Sequence, residues 1–218
     1  MLAWSGGKDA AWALHVLRQD GRQDVVALLS TVAAGRSSMQ GVAVEVLRAQ
    51  AAAAGLPLLE ADVPPGCDNA TYEAVVAEAL SQAQRRWPGL RSIAFGDLSL
   101  EDVRAWRQRQ FDALGWHLLT PLFGRDTASL AREMQAAGLQ ARLCCVDTRQ
   151  LDAGFAGRRF DAALLADLPP GVDPCGEHGE FHTCVTDGPM FDRPLQLEEG
   201  ARWLDDGRFA RIDFMAGR

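Results

Sequence analysis

"LAWSGGKDAAWALHVLRQD", Leu2 to Asp20, decides how the rest of the chain is read. The short apolar run Leu2 to Trp4 breaks at Ser5, Gly6 and Gly7, and the periodic residues Ala10, Ala11, Leu14, Val16 and Leu17 then begin a helix at once. A strand that turns through glycines directly into a helix leaves backbone N–H groups pointing outward, and the helix dipole adds partial positive charge there. Glycine lets an anion approach that backbone closely. Lys8 in this turn is the single lysine among 22 lysine and arginine residues. A compact ammonium on a flexible stem can follow a phosphate that shifts during reaction, which a planar guanidinium does less well. The turn is not a Walker A loop, which needs four residues between its first glycine and Gly-Lys and then Ser or Thr; Asp9 follows here. Asp9 can hold magnesium, or a water bound to it, or simply favour the helix N-terminus. The plainer alternative for Lys8 is a surface lysine beside a tight turn capped by Ser5 or Asp9.

Outward from this stretch, short apolar runs alternate with amphipathic ones. "DVVALLST" (24–31), "LPLLEADV" (56–63), "RSIAFGD" (91–97) and "LQARLCCVD" (139–147) are bounded by Gly, Pro or Asp, as buried strands are. Helical patterns occupy 9–18, 42–54, 69–86, 100–114 and 127–137. The alternation predicts an α/β fold whose parallel sheet is covered by helices on both faces. From about Pro169 the chain becomes dense in Gly, Pro and Asp and reads as an ordered polar loop. A β-hairpin around Asp206 and Gly207 is expected near the C-terminus. The division expected is an α/β domain over 1–138 and a smaller region over 139–218. Ligands of open parallel sheets bind at the carboxyl ends of strands, so the loops there hold the candidates.

Composition narrows the function classes. A net charge of -7 argues against a general nucleic-acid or anionic-membrane binder, which needs a basic stripe. An anionic ligand must find its positive charge locally. Five cysteines, two of them adjacent at Cys144 and Cys145, make a poor disulfide framework and point to a reducing cytoplasm. No apolar run reaches the roughly 18 residues of a membrane span, and the first residues leave no room for a signal peptide.

A second constellation lies in "EHGEFHT", which gathers Glu177, His178, Glu180 and His182. These groups can orient a substrate amine, take a proton from ammonium or hold a second magnesium; a solvated acidic turn is the bland alternative. Cys175, His178, His182 and Cys184 also read as four acceptable zinc ligands. On the helix after Asp97, Asp102 and Arg104 are candidates for the same pocket, with Arg104 meeting an anionic substrate, and a solvated charged face is the alternative. His15 and His117 read as structural.

"SGGKD" after an N-terminal strand resembles the pyrophosphate-binding loop of the N-type ATP pyrophosphatases. "GDLSLEDVRAW" (96–106), "LLTPLFGRD", "ARLCCVDTRQLDAGFAGRRFD" and "GVDPCGEHGEFHTCVTDGPMF" together resemble the diphthine-ammonia ligase family and its bacterial relatives, from Met1 to about Phe191. The resemblance implies a Rossmann-like domain of the adenine nucleotide alpha hydrolase type that uses ATP and Mg2+. It implies activation of a carboxylate, one carried on a modified protein side chain among the options, as an acyl adenylate with release of pyrophosphate, followed by amidation with ammonia. Ser5, Gly6, Gly7, Lys8 and Asp9, with Gly96 and Asp97, carry over as the nucleotide site. Lys8, Asp9, Glu177, Glu180 and His182 are then the catalytic candidates, and Asp102, Arg104 and His178 the substrate candidates. Three positions depart from the usual pattern: Ala10 for serine, Gln40 for an expected histidine, and His178 for asparagine. A nucleotide sensor without chemistry, a zinc protein and a thiolase-like enzyme acting on nucleic acid are the rival readings, and a homodimer is compatible with all of them.

Overall fold

A computed structural model describes residues 1–217. The first half is β1 (Leu2–Ala3), α1 (Lys8–Asp20), β2 (Leu28–Ala33), β3 (Arg36–Ser37), α2 (Val44–Ala53), β4 (Leu58–Asp62), α3 (Asn69–Arg86), β5 (Ser92–Ala94), α4 (Glu101–Ala113) and β6 (His117–Leu119). Five of its strands pair in parallel in the order β4-β2-β1-β5-β6. The chain therefore runs outward from β1 in one direction and resumes at β5 on the other side. The reversal lies between β1 and β5. β3 turns back antiparallel on β2 through Val32–Ser37, on the edge of β2 that faces β1, and so extends past the end of β1.

Alternation along the strands sends neighbouring residues to opposite faces. Leu2, Leu28 and Ala94 join the core formed with α1 and α2, whereas Met1, Leu29 and Ile93 join a second core with Val76 and Leu80 of α3 and Phe111 of α4. The expected helix-covered parallel sheet is present. Side-chain caps from Asp68 and Asp126 start α3 and the later helix α5 (Thr127–Ala136), each accepting an N–H three residues on.

The second half builds a separate antiparallel sheet, β8-β7-β10-β9, from β7 (Gln140–Asp147), β8 (Phe181–Asp187), β9 (Leu197–Asp205) and β10 (Phe209–Ala216), with α6 (Ala162–Asp167) between β7 and β8. Two expectations change here. The run 139–147 is a strand, but of this sheet and not of the parallel one. Both of its faces are buried, by Ala141, Leu143 and Val146 on one side and Cys144 on the other, which gives the same continuous apolar signature. The stretch after Pro169 is not loop throughout, because Phe181–Asp187 is a strand; the Gly and Pro on either side of it conceal a short run whose burial is carried partly by Thr183 and Cys184. The expected hairpin is there: three residues separate the paired Asp205 and Phe209, Asp206 (φ 49°) and Gly207 (φ 62°) both have positive φ, and Arg208 N–H closes the turn on the Asp205 carbonyl at 2.9 Å.

Candidate active site

The loops that follow β1 and β5 meet at the point where strand order reverses, the place where open α/β sheets hold ligands. A cavity of about 780 Å³ opens there, within the usual range for small-molecule sites. Ser5, Lys8 and Asp9, Gly96 and Asp97, and the Ser37–Gln40 turn form one part of its wall. Cys175–Gly179 and His182 of the second half form another. Its apolar end is lined by Tyr72, Val76, Phe95, Val103, Trp106 and Phe111.

The glycine turn is built by protein on several sides. Gly6 has φ +83°, and a Cβ there would lie 2.8 Å from Leu47 and 2.9 Å from Gln50. At Gly7 a Cβ would fall within 2.8 Å of three atoms of the Gln40 carboxamide. Each glycine thus admits a side chain of this protein against the backbone, and not only a ligand. Gln50, fully buried on α2, accepts from Trp4 Nε1 at 3.0 Å and donates to the carbonyls of Gly6 (3.0 Å) and Val185 (2.8 Å). Its one mark in the sequence is that it is an amide inside the apolar stretch "AQAAAAG". The loop is also tied to β8, since Lys8 N–H donates to Thr183 Oγ1 and Val185 N–H to Gly6 O, both at 3.0 Å.

Lys8 is 2% exposed, which rules out a surface lysine. Its ammonium donates to both Asp9 oxygens at 2.9 Å and to the Cys175 carbonyl, and stands 5.7 Å from the ring centres of Phe160 and Phe181. Burial works against its charge, but the Asp9 carboxylate, with Cys175 and Glu177 beyond it, outweighs that and holds Lys8 above the ordinary lysine range. Burial raises Asp9, so its negative charge depends on Lys8. Gly96 is needed where β5 meets the first turn of α1, because a Cβ would come within 2.7 Å of the Asp9 carbonyl group. Asp97 is raised by burial and opposed by Arg107, its ion-pair partner at 3.2 Å.

Among the second group, Glu177 lines the cavity. Its Oε1 accepts from Leu98 N–H (3.3 Å), Ser99 N–H (2.7 Å) and Ser99 Oγ (3.2 Å), while burial holds the carboxyl above its ordinary range. His182 lies in the wall with its imidazole pushed down to about 4 by burial, then by Lys8 and Arg211, so it is neutral near pH 7. His178 reaches the cavity rim and is exposed. Glu180 corrects the catalytic expectation: it is 2% exposed, it is absent from the cavity wall, and its two oxygens accept the N–H groups of Asp173 and His178 at 2.9 Å each. It fixes the loop that carries the others.

Asp102 and Arg104 are corrected as well. Asp102 is exposed in the first turn of α4, and Arg104 stacks on Phe123, so neither lines the cavity. One turn along, Arg107 faces it in their place. The four zinc candidates do not converge: Cys175 Sγ contacts the Thr127 carbonyl and Cys184 Sγ the Gln50 amide. Among the described residues no group of three or more His, Cys, Asp or Glu is arranged to hold a metal. Magnesium at Asp9 fits only as an ion brought with nucleotide phosphates, the usual way a single carboxylate serves it. A cluster missed from the sequence sits at the end of β7. Asp147, 1% exposed, accepts from Arg208 Nε (2.9 Å) and Nη2 (2.5 Å) and from Gln150 Nε2 (3.1 Å), and all three residues line the cavity.

No helix among the described residues is long and apolar enough to cross a membrane. Diphthine–ammonia ligase of Schizosaccharomyces pombe is 28% identical over 116 residues, 51% of this chain and 19% of that relative, so the chain spans a small part of that protein's length. The family model of the diphthamide synthase N-terminal domain matches residues 1–117, the parallel sheet as far as the start of β6, and that of the C-terminal domain matches residues 126–214, the antiparallel sheet short of the last two residues of β10. With the two matched in order, each over its own sheet, the chain belongs to the diphthamide synthase family.

Proposed function

We propose that this chain is an ATP-dependent amide ligase of the diphthine–ammonia ligase type, working in the cytoplasm on Mg2+-ATP. The observation that carries the reading is the buried ammonium of Lys8, held beside Asp9 in the wall of a cavity at the strand-order reversal. The triphosphate lies along Ser5–Asp9 and the base lies toward Tyr72, Phe95 and Trp106. Residues 1–138 hold the nucleotide, and 139–218 supply the substrate side.

A carboxylate oxygen attacks the α-phosphorus, pyrophosphate leaves, and ammonia displaces AMP from the acyl adenylate to give the amide. Lys8 offsets the charge that develops on the departing pyrophosphate, the kind of electrostatic stabilisation worth several powers of ten in rate. When bound, magnesium adds further charge neutralisation at the phosphates, with Asp9 as its protein ligand. Glu177, raised by burial and anchored through Oε1, is suited to take the proton that ammonium must lose. His182, neutral, accepts a hydrogen bond from the incoming amine without repelling the Lys8 charge.

The test is nucleotide binding by calorimetry and pyrophosphate release with ammonium chloride and a panel of carboxylates. Lys8→Gln, checked by circular dichroism, is expected to lose at least a hundredfold in pyrophosphate release. Unchanged turnover in that variant counts against the role of Lys8. ATP binding with no pyrophosphate release across the panel favours the nucleotide-sensor reading.

A further inference from the structure

Gln40 sits on the turn between β3 and α2, and the second sheet holds that turn at several points. The Gln40 carbonyl accepts from Arg211 Nη1 at 3.3 Å and lies 3.8 Å from Cys144 Sγ. Arg36 grips Asp213 of β10 through two hydrogen bonds, at 2.6 and 2.7 Å, and donates to the Gly41 carbonyl at 3.0 Å. So fixed, the turn lays the Gln40 carboxamide over Gly7, in the space a Cβ would take, and in the cavity wall beside Ser5 and Lys8. Its Oε1 is buried and has no hydrogen-bond partner among the described residues. That enclosed acceptor cannot meet a phosphate oxygen, but the NH2 group beside it has no protein acceptor among the described residues, and its donors are left for a ligand in the cavity.

We propose that Gln40 is a nucleotide-binding residue whose amide donates to a phosphate oxygen of ATP, and that Arg211 is its positioning residue. The inference rests on the ATP reading above. It makes the phosphate site a joint product of both sheets, although every residue of the glycine turn belongs to the first. It also accounts for Gly7 without appeal to a close phosphate alone: a methyl group there would expel the amide. A neutral donor at this point adds a contact without competing for the Asp9 carboxylate that Lys8 already holds.

The experiment is calorimetric titration of Mg2+ with α,β-methylene ATP into the parent chain, Gln40→Ala, Gln40→Glu and Arg211→Met, with thermal melts alongside. Gln40→Glu keeps shape and size, so a change in its binding reads charge and not fold. Affinity is expected to fall about tenfold in Gln40→Ala, as for loss of a hydrogen bond to a charged group. In Gln40→Glu it falls further, by about thirtyfold or more, with the gap between the two variants narrowing at high salt. Arg211→Met is expected to weaken binding about threefold, through the turn. A Gln40→Glu chain that binds the nucleotide within twofold of the parent overturns the inference and leaves the ATP reading standing. A parent chain that binds no nucleotide overturns both.

Discussion

The backbone N–H of Lys8 donates to the hydroxyl of Thr183 at 3.0 Å, across 175 positions of sequence. With Val185 N–H on the Gly6 carbonyl, it fastens the glycine turn of the first sheet to β8 of the second. Thr183→Val keeps the shape and leaves a buried N–H without a partner, a loss of about 1–3 kcal/mol. Urea unfolding is expected to show that loss together with weaker ATP binding, and Thr183→Ser to recover most of both. Equal stability in Thr183→Val means that the turn does not depend on β8.

Gln50 is the interior counterpart of that link. Gln50→Leu strips hydrogen bonds from Trp4 Nε1 and the Val185 carbonyl and halves those on the Gly6 carbonyl. A destabilisation of about 2–4 kcal/mol is expected in chemical denaturation. Gln50→Glu is expected to be no better, because a carboxylate cannot donate to two carbonyls.

The pH dependence of stability has a component with a definite sign. His182 titrates near 4 in the folded chain, through burial first and then Lys8 and Arg211, against an ordinary value of 6.5. Between those values the unfolded chain binds a proton that the folded chain refuses, so stability rises with pH through this window and levels off above it. The difference corresponds to about 3 kcal/mol at most. The stability gap between the parent and His182→Gln, followed by urea unfolding from pH 4.5 to 7.5, is expected to shift in the parent's favour as pH rises. A gap independent of pH contradicts the buried neutral imidazole.

The Asp147 carboxyl, paired with Arg208, acts in the same sense as His182, stability rising with pH, but in a lower window. The Arg208 guanidinium, opposed by partial burial and helped by Arg149 N–H and Gln150, holds the Asp147 carboxyl well below the usual range. The pair therefore contributes above the unfolded value of 3.8, and the contribution is lost as pH falls toward the folded one. Arg208→Met is expected to lower stability modestly at pH 7, because Arg208 is partly exposed to solvent, and less as pH drops below about 4. Parallel unfolding curves at pH 7 and pH 3.5 measure it.

Much of the fold was legible because periodicity and glycine turns are local. The helix expected over 69–86 is α3 to the residue, and the turn "SGGKD" does join a strand to a helix. What the sequence withheld were properties of pairing. A doubly buried strand such as Gln140–Asp147 reads alike in a parallel or an antiparallel sheet, and only its partners decide. At the site, Lys8, Asp9, Gly96, Asp97, Glu177 and His182 come to one cavity from segments far apart. Arg107 was missed in favour of Arg104 because helical spacing does not say which face of α4 turns inward. Gln50 and Asp147 were missed because their significance lies in carbonyls and guanidinium groups that the fold brings from elsewhere.

Most directly decisive is a crystal structure of the chain grown with Mg2+ and α,β-methylene ATP, whose uncleavable bridge preserves the triphosphate. The result expected is phosphate density along Ser5–Asp9 within hydrogen-bond distance of Lys8 Nζ, with the base toward Phe95 and Trp106. A nucleotide seated elsewhere, with Lys8 still spent on Asp9 and the Cys175 carbonyl and touching no phosphate, contradicts the assignment of the site.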